Sequence, residues 1–332
     1  MTDKQSPYTE FAEKMMHPGS VYIPRILQSM INDRQAELLI ALPATAEQMA
    51  ETFDISVSDA LSDLEDMYRK GLTFKKEKEE GLIWRAPMHI AQFHDATIVW
   101  PEATEEFYQL WKKYMQEEWP QLAPGIAQLM PRPFTRVIPV EKSLDTGNAQ
   151  VQVAEQVKDI LNSAQRIAVT NCTCRLTMRN CDHPREVCIQ INKGADYTID
   201  RGSGREISLE EAYSIIDKTE DEGLVHVTMN KSDVGHFICN CCGCCCQSFT
   251  LLISDGINLC DPSRFLPLVE EDSCIGCGTC QERCWFGAIS VGEDNTAVVE
   301  EDKCLGCGQC ANVCPEDAIS MTEQRETDFI PQ

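Results

Sequence analysis

Apolar residues in the first third of the chain recur at three- and four-residue intervals, the period of helices with one buried face. The pattern predicts a helix over Ala36 to Leu42, a second from Thr45 to Phe53 with Thr45 as N-cap, and a third starting near Ser56. The third carries Val57, Ala60, Leu61, Leu64, Met67 and Tyr68 on one face and stops at Gly71, which suits a left-handed helix end. LTFKKEKEEGLIWR then predicts two short strands joined by a charged turn at Glu79 to Gly81. In PEATEEFYQLWKKYMQEEW a further amphipathic helix puts Phe107, Leu110, Trp111, Tyr114 and Met115 in one stripe. Pro120, Pro124, Pro131, Pro133 and Pro139 follow and predict an extended linker.

From about Arg136 to Pro267 the pattern alternates between strand and helix. TRVIPV predicts a strand, Val151 to Leu161 a helix, and RIAVTN a strand running straight into Cys172. Ser208 and Glu211 form a capping box for a helix to about Glu222, with Gly223 as its stop and a strand after it. GHFICN is a second such strand, whereas GSGREI near Gly202 lacks the context of a nucleotide loop. The expected fold is therefore α+β and multidomain. A helical domain occupies 1–100, a helix and Pro-rich linker 101–135, a small α/β cysteine-rich domain 136–266, and a last domain 267–332.

The order of three helices and a hairpin resembles a winged helix-turn-helix domain. In such domains the third helix often meets DNA, but here it carries Asp59, Asp63, Glu65 and Asp66 against Arg69 and Lys70, the wrong sign for a phosphate backbone. The net charge of −24 extends that argument to the whole chain, which repels nucleic acid and anionic membrane and suits positively faced protein partners. His17, His89 and His94 have no ligand-like spacing and read as surface or core residues.

Nineteen cysteines change the picture. The opening MTDKQSPYTEFAEKMMHPGS has neither a basic n-region nor an apolar h-region, and no run approaches the ~20 apolar residues of a membrane span. The expectation is a reducing cytoplasm, where cysteine clusters mean metal or catalysis. Adjacent cysteines such as those in FICNCCGCCCQSF are also poorly placed to pair with one another.

DSCIGCGTCQERCWFGAI at Asp272 to Ile289 and DKCLGCGQCANVCPEDAI at Asp302 to Ile319 form an internal repeat with C-x2-C-x2-C-x3-C in each copy. This resembles the bacterial two-cluster ferredoxins, in which three thiolates of one run grip a cubane and the fourth serves the other cluster. The resemblance implies two 4Fe-4S clusters, one on Cys274, Cys277, Cys280 and Cys314, the other on Cys304, Cys307, Cys310 and Cys284. Gly276, Gly278, Gly306 and Gly308 let the backbone curl around each cluster and aim amides at sulfur. Trp285 stands where proline is usual, at a position that is not a ligand.

Eleven cysteines remain. Cys172, Cys174, Cys181 and Cys188 form one group and Cys239, Cys241, Cys242, Cys244, Cys245 and Cys246 another, with Cys260 apart. Two groups separated by a folded strand and helix describe a metal site assembled from two chain segments. The ten grouped thiols exceed the four ligands of a cubane, so they are candidates for at least one further iron–sulfur cluster, the alternative being structural zinc with spare buried thiols. Arg175, Arg179 and Arg185 would stabilise thiolate charge, and His183, His226 and His236 are weaker ligand candidates. The layout is similar to that of a largely uncharacterised group of anaerobe iron–sulfur proteins.

No flavin or nicotinamide fingerprint is present. The function these features imply is low-potential electron transfer, as a component of an anaerobic oxidoreductase that works with a redox partner protein. Glu270, Glu271, Asp272, Glu300, Glu301 and Asp302 around the clusters add field that pushes potentials low. The alternatives are a redox-sensing regulator with the winged helix as output, and an enzyme whose middle-domain cluster is itself the catalytic centre.

Overall fold

A computed structural model describes residues 6–79, 81–144, 155–233 and 235–332, which fall into two compact units. The first comprises Met1–Ala123 with Leu176–Met178 and Asp200–Ser203. Its helices include Pro7–Lys14, Tyr22–Gln28, Asp33–Ala41, Ala46–Phe53, Val57–Arg69, Ile90–Ile98 and Glu105–Glu117. Strands β1 (Phe74–Lys78) and β2 (Gly81–Arg85) pair antiparallel; Glu80, in the expected charged turn, lies outside the described residues.

Local chemistry sets the helix starts. Thr45 caps Ala46–Phe53 by accepting from the Gln48 N–H, and Gln48 reaches back to the Thr45 N–H. The helix expected at Ala36 begins three residues earlier, because Asn32 and Gln35 make the same reciprocal pair. In Val57–Arg69 the buried face is Ala60, Leu64, Met67 and Tyr68, while Val57 and Leu61 flank the stripe and are exposed at 41% and 39%. Asp63 is buried instead, paired with Arg34 at 2.7 Å and accepting from Gln35 at 3.2 Å. The expected stripe of Glu105–Glu117 is buried in full. His17 and His94 are core residues, and His89 caps Ile90–Ile98.

The expected extended linker is helical over Trp119–Leu129. Pro120 sits in its first turn, where a missing N–H costs nothing, and Pro124 removes one internal bond. Gln121 and Leu122 donate to the Glu118 carbonyl, so the preceding helix supplies the nucleus.

The second unit comprises Pro124–Arg175, Arg179–Ile199 and Gly204–Gln332. Its centre is a seven-stranded sheet of β3 (Thr135–Ile138), β4 (Ile167–Asn171), β5 (Glu186–Ile191), β6 (Gly204–Glu206), β7 (Val225–Met229), β8 (Phe237–Cys241) and β9 (Cys260–Asp261). The strand order is β6-β4-β5-β8-β7-β3-β9, and of its pairings only β3 with β9 is parallel. Ser208 accepts from the Glu211 N–H as expected, but Glu211 pairs with Arg205 rather than closing a capping box. The helix expected over Val151 to Leu161 spans Val157–Ser163; residues 151–154 lie outside the described residues.

Side-chain alternation gives the sheet two different faces. Ile138, Val169, Ile189, Ile191 and Ile238 pack on Val157–Ser163 and Leu209–Asp221 in one apolar layer. Val137, Val225, Val227, Cys239 and Cys241 face the other way, against Phe249, Trp285, Phe286 and Cys307. The C-terminal segment packs there with two small antiparallel pairs, β10 (Phe265–Val269) with β13 (Ile319–Glu323) and β11 (Ile289–Val291) with β12 (Ala297–Val299).

Candidate metal centres

Each cysteine loop of the C-terminal repeat turns through two left-handed glycines, Gly276 (φ +64°) and Gly278 (+79°) in the first, Gly306 (+63°) and Gly308 (+74°) in the second. At Gly306 the requirement is also one of space, since a Cβ there would lie 2.1 Å from the Phe265 carbonyl oxygen. Cys274, Cys277, Cys280 and Cys314 line one hollow together with Pro315, and Cys284, Cys304, Cys307 and Cys310 line a second with Phe286.

Backbone amides are aimed at sulfur. Ala288 donates to Cys284 Sγ, Gly306 to Cys304 and Ala318 to Cys314, each at 3.3 Å, and Ala297 to Cys274 at 3.5 Å. Four thiols around each hollow, with amides already directed at them, fit an iron–sulfur cluster. Burial pushes the Cys307 thiol up to about 12 and raises Cys280, Cys304 and Cys310, whereas exposed Cys277 is lowered by its hydrogen bond to Thr279. Metal loading there must displace protons.

The ten candidate thiols of the middle region divide into two sets, each drawing on both segments. Register explains the first. Thr170 of β4 pairs with Cys188 of β5, and Ile189 pairs with Ile238, which places Cys188 beside Cys239. Cys239 and Cys241 share a face because they are two apart on β8. Thiol contacts run from Cys188 to Cys239, to Cys241, to Cys246, to Cys174 and to Cys172. Cys172 also lies within the field of Cys239 and Cys241, so the six gather into one group. Cys172, Cys239 and Cys241 are raised well above the ordinary thiol value, first by hydrogen bonds to Cys174, Cys188 and Cys239 respectively, then by burial.

The second set is Cys181, Cys242, Cys244 and Cys245, whose sulfurs all lie within 4.8 Å of one another. Here the Cys242 thiol is held low, chiefly by a hydrogen bond from Cys245 and then by the nearby Arg175 guanidinium, and the same bond raises Cys245. Arg175 is buried between the two sets. It lies against Cys242, faces Cys172 and Cys241, and donates to the carbonyls of Pro184 (2.8 Å) and Asn240 (2.6 Å).

The histidines are engaged elsewhere. His183 Nδ1 lies 2.9 Å from Glu222, and His226 is buried against Asn240 at 2.6 Å. Cys260 lies on β9, packed in the same apolar cluster as Cys241 and Cys246 with its thiol donating to the Asp261 carbonyl, and burial pushes it up to about 12. Trp285 fills a role its sequence position did not announce. Its indole N–H donates to the Gly223 carbonyl at 2.8 Å, and its ring covers Gly243 in the middle of the cysteine run.

Residues 267–321 match the family described as a 4Fe-4S dicluster domain. No curated protein and no solved structure matches the chain. The match and the surrounding cysteine-rich region make this an iron–sulfur protein. Among the described residues no helix is long and apolar enough to cross a membrane.

Proposed function

We propose that this chain carries low-potential electrons between a redox partner protein and a further iron–sulfur cluster held by Cys172, Cys174, Cys188, Cys239, Cys241 and Cys246, through two 4Fe-4S clusters in its C-terminal segment. The carrying observation is the pair of hollows, each lined by three cysteines of one run and the fourth of the other. On that basis Cys274, Cys277, Cys280 and Cys314 hold one cluster, and Cys304, Cys307, Cys310 and Cys284 hold the other. Iron–sulfur clusters supply one-electron transfer. The protein's part is to hold them close, direct amides at the sulfurs, and surround them with carboxylates such as Glu271 and Glu301 that disfavour added electrons.

Six thiols touching in succession offer more donors, over a longer path, than one metal ion uses, which favours a cluster there. This site lies on the sheet face against which Cys307 and Phe286 pack, so a short route between centres is built into the core. The helices Asp33–Ala41, Ala46–Phe53 and Val57–Arg69 with the β1–β2 hairpin support a winged-helix arrangement in the first unit. Asp63, Asp66 and Glu65 on its third helix pair with Arg34, Lys70 and Lys75. That wiring favours a packing or docking role over DNA binding.

The test is iron and acid-labile sulfide quantitation with EPR on anaerobically prepared protein and on a Cys239→Ser, Cys241→Ser variant. The proposal expects more than about eight irons per chain, falling in the variant while the signals of the two C-terminal clusters persist. About eight irons in both proteins would refute the extra cluster, and fewer would refute the C-terminal assignment.

A further inference from the structure

Cysteine runs of the form C-C-x-C-C-C leave open which neighbours share a metal. In this chain Cys181, Cys242, Cys244 and Cys245 are set apart from the other thiols by their spacing. Cys181 Sγ lies 3.9 Å from Cys242 Sγ and 3.7 Å from Cys245 Sγ, and Cys244 lies 3.9 Å from Cys245. A tetrahedral tetrathiolate with metal–sulfur bonds of about 2.3 Å has edges of about 3.8 Å. Three of the six sulfur–sulfur spacings have that length, and all six lie within 4.8 Å. The four thiolates of a cubane each bind a different iron at an outer corner, which splays them well beyond a single ion's coordination sphere.

We propose that Cys181, Cys242, Cys244 and Cys245 hold one zinc ion in a closed, structural tetrathiolate site that contains no inorganic sulfide. The donor set is complete without water or substrate, as in structural rather than catalytic zinc sites. Zinc with four thiolates leaves two net negative charges in a partly buried place, and the buried Arg175 beside Cys242 offsets one of them. Asn180 donates to the Cys244 carbonyl at 2.9 Å, which fixes the loop bearing Cys181 against the turn bearing the other three. A zinc ion there would pin the segment after helix Thr173–Met178 to the turn after β8. Two neighbouring members of the six-thiol group, Cys174 and Cys246, stand next to those segments. The ion is redox-inert, so its work is to hold the neighbouring six-thiol group in shape.

This assignment does not depend on the iron–sulfur reading, because zinc is counted separately from iron and sulfide. The experiment is elemental analysis and zinc-edge X-ray absorption on the full chain purified anaerobically, with chelator competition on the wild type and a Cys244→Ser variant. The expected result is one zinc per chain, four sulfur neighbours at about 2.3 Å, and zinc affinity at least about tenfold weaker in the variant with iron and sulfide unchanged. Wild-type protein without zinc would overturn the proposal even if the variant fails to fold. Loss of iron and sulfide together in a folded Cys244→Ser chain would overturn it, and so would sulfide-free iron at this site.

Discussion

Replacing Arg264 by methionine tests how the C-terminal segment is anchored. Arg264 is 1% exposed and grips Glu155, also 1% exposed, through Nε at 2.7 Å and Nη2 at 2.9 Å. Its Nη1 donates to Glu323 and to the Arg325 carbonyl. The adjacent residues Ser263 and Phe265 touch Gly306 in the loop of the second hollow, so this one guanidinium fixes the strand on which that loop rests. Removing one partner of a buried pair costs ~3–5 kcal/mol, because the remaining charge is left in a medium that cannot solvate it. Arg136 is buried within the field of Glu155 and offsets part of the loss, which places Arg264→Met near ~3 kcal/mol. In a unit of roughly 200 residues that lowers the unfolding midpoint by about 6–12 °C. The assay is thermal unfolding of the anaerobic holoprotein by circular dichroism. Adding Glu155→Leu should recover only part of the loss, since it removes the stranded carboxylate but takes from buried Arg136 the charge that supports it. A midpoint for Arg264→Met within about 2 °C of wild type would refute the reasoning.

Three further outcomes follow from particular contacts. Cys314→Ser should remove about four irons and one EPR signal, that of the hollow shared with Cys274, Cys277 and Cys280, whereas loss of the signal from the Cys304 hollow would reverse the crosswise assignment. Gly243→Val should cost ~1–3 kcal/mol, because a Cβ there lies 2.8 Å from Trp285 Cε3 and 3.0 Å from Ile253 Cδ1, and Trp285→Phe in the same chain should return part of it in a denaturation double-mutant cycle. Burial lowers the pKa of His17 below 6.5, so the unfolded chain binds the proton more readily and this contribution to stability, present above pH 6.5, is lost as pH falls below it. Unfolding midpoints of wild type and His17→Gln should therefore differ more at about pH 7.5 than at about pH 5.5; a constant difference would show that His17 does not titrate on unfolding.

Much of the chain was legible because its signals are local. Thr45 and Ser56 mark helix starts through hydrogen bonds made within three residues, and both helices begin where those residues predict. GHFICN predicts a strand that carries Cys239 and leads into the cysteine run, and β8 there extends one residue further, to Cys241. Signals that depend on distant residues were misleading or silent. Prolines suggested an extended segment at Trp119–Leu129, where a preceding helix supplied the nucleus. Leu61 looked like core by its period and is exposed, while Asp63 is buried because Arg34 and Gln35 lie opposite.

By itself the sequence determined the iron–sulfur character of the C-terminal segment, since each loop's three cysteines and two glycines lie within a few residues. It also determined that ten further thiols sit in two chain segments. Tertiary structure alone decided their division into a tight four and an open six. The six meet because β4, β5 and β8 are neighbours in one register, and the four meet because the loop at Cys181 closes over the turn after β8. Strand order and loop closure are fixed by packing of the whole sheet, so adjacent cysteines in one run are sent to different thiol groups without any local sign of it.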